Sequence, residues 1–156
     1  MHRRLAGYTV FNRLLELSRR ADPHLRAPHS RYGTRYQRRG IARAVYEWAL
    51  GSGMCLISGP RQSAGAHALW RALASRHELG YVDLRDRRLE FLGPRVDRET
   101  LGDLHARMVL LGRGWSFEEL MHATGARPSS AGDTRLRSHY HRNLLLPESH
   151  AARIRS

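Results

Sequence analysis

The chain has 156 residues, 41% of them hydrophobic, and a formal net charge of +13. That length suits one domain burying about two-thirds of its unfolded surface, and the apolar content excludes a wholly disordered chain. A lone Cys55 excludes an internal disulfide, and no apolar run approaches the roughly eighteen residues of a membrane span.

Met1-His2-Arg3-Arg4 leads into a stretch broken by Asn12, Arg13 and Glu16, which does not read as a signal peptide. The expectation is a soluble cytoplasmic protein with no membrane partner. Residues 7–17 begin with β-formers, predicting a strand near Tyr8–Asn12 or a short helix. Pro23 and Pro28 argue against a central strand in residues 18–36, because proline cannot donate to a ladder. After Gly40 the period becomes helical: Ile41, Ala44, Val45, Trp48 and Ala49 form one stripe, and Gly51 and Gly53 stop it. Met54–Ile57 reads as a buried parallel strand. A second helix covers about Ser63–Arg76, with Ala66, Leu69, Trp70 and Leu73 on one face. Tyr81–Leu84 and Leu89–Leu92 read as a hairpin turning at Arg85–Arg88.

The spacing of Leu101, Leu104, Met108 and Leu111 predicts a third helix over Asp97–Leu111, closed by Gly112 and Gly114. Ser116 and Glu119 form a capping box for a short fourth helix, Ser116–Thr124. From Gly125 the pattern fades, apart from an apolar knot at Leu144–Leu146. The expected organisation is α/β (α+β): a domain over 1–125 with a short mixed sheet, helices packed on it and extra C-terminal helices. A disordered Arg/His/Ser-rich tail over 126–156 would follow.

The stretch with most chemistry is Gln37-Arg38-Arg39-Gly40-Ile41-Ala42, followed at once by a helix. Gly40 permits close approach of the backbone to an anion, and the amides of a helix N-terminus point at it. The macrodipole adds about half a positive charge there, and Arg38 and Arg39 screen further phosphate charge. Such a turn suits a pyrophosphate, although a basic turn that only caps a helix would read the same way. It matches neither the Walker loop nor the dinucleotide fingerprint.

Q-x-x-G-x-A entering a helix, then a short apolar strand, then a helix of the form x-A-x-x-L-aromatic-x-x-L, resembles the coenzyme A core of the GNAT superfamily of acyltransferases. The matching segments are Gln37–Ala42, the helix with Tyr46 and Trp48, the strand Met54–Ser58 and the helix Ser63–Leu73, within about residues 30–93. The resemblance implies a GNAT-like sheet with acetyl-CoA as co-substrate, its pyrophosphate on Gln37, Arg38, Arg39, Gly40, Ile41 and Ala42. It implies direct transfer of an acetyl group to an amine acceptor, a small molecule or a protein. Ser58, Gln62 and Ser63 would lie near the thioester. Many members place a tyrosine acid where this chain has Trp70, and an indole cannot serve as an acid near neutral pH. Ser63, Ser58 and Tyr46 are therefore the catalytic candidates.

The charge is all arginine and sits on the flanks. Residues 1–40 hold ten arginines and two acids, residues 41–125 eleven and ten, and residues 126–156 six and two. Arginine-rich ends on a non-catalytic GNAT-like scaffold could bind nucleic acid or another polyanion by counterion release, so nucleic acid stays open as a partner, as does a homodimer. The histidines show no metal-ligand spacing, and His139-Tyr140-His141 reads as solvated. Cys55 has no nearby histidine to make it a nucleophile. Arg107 is expected as a surface charge on the third helix, and Asp83 to Arg88 as a solvated hairpin edge.

Overall fold

A computed structural model describes residues 3–130. The expected disordered tail therefore lies, from residue 131 on, outside the described residues, together with His139-Tyr140-His141 and Leu144–Leu146. The elements run β1 (Gly7–Asn12), β2 (Leu25–Tyr32), α1 (Ile41–Gly51), β3 (Cys55–Ile57), α2 (Ala64–Leu73), β4 (Leu79–Arg85), β5 (Arg88–Gly93), α3 (Arg98–Gly102), β6 (Ala106–Leu110), α4 (Phe117–Thr124) and β7 (Arg127–Pro128). The fold is mixed α/β, built on a seven-stranded sheet in the order β1-β2-β3-β6-β4-β5-β7. Only β2 with β3 and β5 with β7 run parallel; the other neighbours are antiparallel. No described helix is long and apolar enough to cross a membrane.

Strand alternation sorts the buried side chains onto two faces. Leu56, Tyr81, Met108 and Leu110 meet α1 and α2 through Tyr46, Leu50, Trp70 and Leu73. Cys55, Ile57, Val82, Leu84 and Val109 face the β1–β2 connection and α4 through Leu17, Ala21, Leu120 and Met121. Leu50, Leu56 and Leu73 are fully buried, which contributes about 2 kcal/mol each before chain entropy is counted. A bond between His77 Nε2 and Glu47 Oε2 (2.7 Å) ties α1 to the segment after α2. That bond, ahead of the nearby Arg76 and Arg43 charges, holds the Glu47 carboxyl below its usual range.

The hairpin forms as read. Asp86 (φ 48°) and Arg87 (φ 62°) both sit in the left-handed region, the two-residue turn whose twist matches the flanking strands. Ser116 and Glu119 close the capping box on α4. At Gly112 a Cβ would overlap the backbone of Gly53 and Met54, so only glycine lets these two turns touch.

Several expectations fail. Pro28 lies inside β2, opposite Phe11 of β1. It is tolerated because β2 pairs with β3 only at Leu25↔Cys55 and Arg26↔Leu56, so at Pro28 the strand serves one neighbour. The third helix over Asp97–Leu111 is instead a short α3 and the central strand β6. Leu101 and Leu104 are about half exposed, whereas Arg107–Leu111 is continuously buried, the run of a strand covered on both faces. On α1 the buried stripe is Tyr46, Ala49 and Leu50, and Trp48 is 66% exposed. The sheet also continues past residue 125, since β7 pairs with β5.

Candidate functional site

β2 and β3 start side by side and then part. Beyond Arg26↔Leu56, β2 runs on to Tyr32 with β1 as its only partner, while β3 ends at Ile57. The wedge between them opens into a cleft of about 820 Å³. Its walls are His29 and Ser30 of β2, the turn before α1, the loop Ser58–Ser63, and Trp70 of α2.

The turn occupies one end of the cleft. Gln37 Nε2 donates to Tyr32 O at 2.9 Å, fastening the turn to the end of β2. Arg38 (φ 59°) and Gly40 (φ 75°) are both left-handed. For arginine this conformation costs of order 1 kcal/mol. Gly40 is the N-cap of α1 and no side chain caps that helix, so its first amides stay free for an anion. A Cβ on Gly40 would meet nothing within 4 Å, which leaves open space in front of the turn. Gln37, Arg38, Gly40, Ile41 and Ala42 line the cleft, and so do Arg43 and Arg61; Arg39 does not.

The three catalytic candidates are brought to the same cleft in different states. Ser58 is buried; its hydroxyl accepts from Met108 N at 2.9 Å. Ser63 is the N-cap of α2 and accepts from Ala66 N at 3.1 Å. Tyr46 is 4% exposed, and its phenol oxygen accepts a long bond (3.4 Å) from Ser30. Burial raises the Tyr46 pKa, opposed by that bond. Ser30 in turn is linked to Thr9, and Thr9 to Tyr32, each at 2.8 Å.

Cys55 lies outside the cleft, and burial pushes its thiol up to about 11, although the Gly112 N–H opposes this. A thiol so placed is neutral at physiological pH and no nucleophile. Arg107 corrects the expected surface charge: it is 4% exposed on β6. Its Nη2 donates to Glu16 at 2.7 Å and its Nη1 reaches Ser58 O at 3.4 Å. Sequence periodicity hid it by placing it on a helix. His29, Ser30, Arg43 and Arg61 were also missed, because strand parting leaves no motif. Among the basic residues of the N-terminal flank, Arg20 is tied to the end of α4 through the carbonyls of His122 and Ala123.

No protein-family model, curated protein or solved structure matches this chain.

Proposed function

We propose that this chain is a GNAT-like N-acetyltransferase that binds acetyl-CoA in the cleft between β2 and β3 and passes the acetyl group to an amine. The observation that carries the reading is the parting of β2 and β3 onto an uncapped helix start, with left-handed Arg38 and Gly40 at the turn. A strand edge left without a partner suits an amide-bearing chain, since its N–H and C=O groups need one. The free amides of α1, with Arg38 and Arg43 beside them, suit a pyrophosphate.

On this reading the loop Ser58–Ser63 positions the reacting carbonyl. The amine nitrogen forms the new bond to the acyl carbon. The carbon–sulfur bond breaks with its electron pair on sulfur, the thiolate takes a proton, and nitrogen gives one up to water. Orientation supplies most of what such a transfer needs. Trp70 is buried in the cleft wall and cannot give sulfur a proton, so water supplies it, with the Ser63 hydroxyl relaying the proton or holding that water. Calorimetry with CoA tests the cofactor site: binding is expected at micromolar to submillimolar ligand, and none at about millimolar concentration removes the reading.

A further inference from the structure

A second cleft, of about 340 Å³, opens where β3 ends and β6 begins. It shares Ser58, Gly59, Gln62 and Ser63 with the first, so the two meet at one loop. Its floor is Tyr81 and Met108, paired across β4 and β6, with Leu101 of α3 and His67 of α2 at its sides. The neighbouring Arg107 alternates to the other sheet face, against Glu16, and takes no part.

His67 is exposed, and it stands one helical turn from Ser63, whose carbonyl accepts its backbone N–H at 2.9 Å. The ring Nδ1 lies 3.4 Å from Gln62 Oε1 of the shared loop. An amide oxygen only accepts, so Nδ1 carries the hydrogen and Nε2 keeps its lone pair. Among the described residues nothing bonds Nε2. No aspartate or glutamate lines either cleft. The other histidine there is His29, whose ring lies 6.2 Å from that of Tyr8. Strand alternation turns it away from Ser30 and the Tyr46 phenol. Proton uptake near neutral pH in these clefts therefore falls to His67.

We infer that the second cleft holds the acetyl acceptor and that His67 is the general base for its amine, a step that rests on the acetyltransferase reading. As nitrogen bonds the acyl carbon, the proton it gives to water passes from that water to Nε2. The imidazolium then returns it to solvent at the cleft mouth. The acceptor is a small primary amine on an uncharged, apolar body. Leu101, Ala106 and Met108 give it apolar surface. A polycation is disfavoured, because Arg38, Arg43 and Arg61 line the first cleft and no carboxylate lines either.

The test measures acetyl transfer by the full chain from acetyl-CoA to benzylamine, an amine of this kind, and to spermidine, a polycation. Benzylamine should give a kcat/KM about tenfold higher or more. His67→Ala should lower it about a hundredfold while CoA affinity stays within about twofold of the native chain. Around the imidazole stand Tyr81 of β4, Arg71 of α2 and Arg61 of the loop, with Leu101 from α3 and Met108 from β6. Of these residue types only histidine changes charge between about pH 5 and 8. Below that titration native kcat/KM should rise with pH at a logarithmic slope of about two, one unit of it the amine's own deprotonation, and above it at about one. His67→Ala should show a slope of about one throughout. Free imidazole should restore part of its rate, which a merely structural role would not allow. A loss under about threefold in His67→Ala, a slope of about two that survives it, or a preference for spermidine overturns the inference. Histidine ring signals in NMR, with CoA calorimetry on the same samples, separate the claims. Benzylamine that shifts the His67 signal without any CoA binding sinks the acetyltransferase and keeps the amine cleft. CoA binding with no His67 shift up to about 10 mM benzylamine sinks the acceptor cleft alone.

Discussion

The start of α1 and the start of α4 solve the same problem in opposite ways. Both helices open with amides that have no intrahelical acceptor. At α4 the chain satisfies them itself: Ser116 accepts from Glu119 N, Glu119 reaches back to Ser116 N, and Glu118 and Glu119 add negative charge to the first turn. At α1 the cap is Gly40, with no side-chain bond and no acid in the first turn. The residues just before it are two arginines. One helix start is closed for stability, and the other is kept open and positive at some cost, which is the pattern expected of an anion site.

The largest expected effect comes from closing the open one. Gly40→Asp should weaken CoA binding about a hundredfold or more, since it adds a carboxylate where the phosphates need free amides. Gly40→Ala shares the strain of a left-handed residue without the charge, so it should bind CoA within a few fold of the native chain. Titration of both variants decides the matter: equal losses would mean that backbone strain, and not charge, sets the effect.

The start of α2 lies between the two cases, because Ser63 caps the helix and also faces both clefts. Ser63→Ala should lower acetyl transfer about tenfold, the size of one hydrogen bond worth about 1.4 kcal/mol. It should also cost about 1 kcal/mol of stability as a lost cap. Ser63→Gly separates the roles: glycine restores most of the cap but no hydroxyl, so stability should recover while turnover stays low. Turnover that recovers along with stability would show that Ser63 serves only the helix.

At α4 the effect should be on stability alone. Ser116→Ala removes one member of the capping box and should cost about 1 kcal/mol in denaturant unfolding, with CoA affinity unchanged. A change in CoA affinity would mean that α4 is coupled to the cleft across the sheet.

These helix starts also mark how far the sequence could be read. The capping box, the Gly40 turn and the hairpin were legible because each rests on local chemistry: a hydroxyl three residues from a carboxylate, a glycine where φ must be positive, a two-residue turn. What stayed hidden depends on partners far along the chain. Pro28 is acceptable in β2 only because β3 has already turned away there. Met108 to Leu111 fits a helix stripe as well as a buried strand, and its place between β3 and β4 decides for the strand. Arg107 followed the same error, since alternation along a strand, and not a helical face, buries it against Glu16. Trp48 was assigned to the core by period alone, yet the sheet meets α1 one residue-step around, at Tyr46, Ala49 and Leu50.

The smallest effect is expected at Tyr46, which lies on the open helix itself, six residues past Gly40. Its ring packs near Phe11, with centroids 6.2 Å apart, and its oxygen accepts a 3.4 Å bond from Ser30. A bond that long contributes little, so Tyr46→Phe should cost less than about 1 kcal/mol of stability. Burial holds the phenol above its usual pKa, so it gives up its proton less readily than a solvated tyrosine. Tyr46→Phe should therefore leave acetyl transfer within about twofold of the native rate. The alternative is specific. Because Ser30 donates to Tyr46, the phenol's own hydrogen is free to turn toward the cleft, and a thiolate forming within its reach would be protonated by it. If Tyr46→Phe abolishes transfer while CoA still binds, Tyr46 is the acid that Trp70 cannot be, and the start of α1 supplies both the phosphate site and the proton.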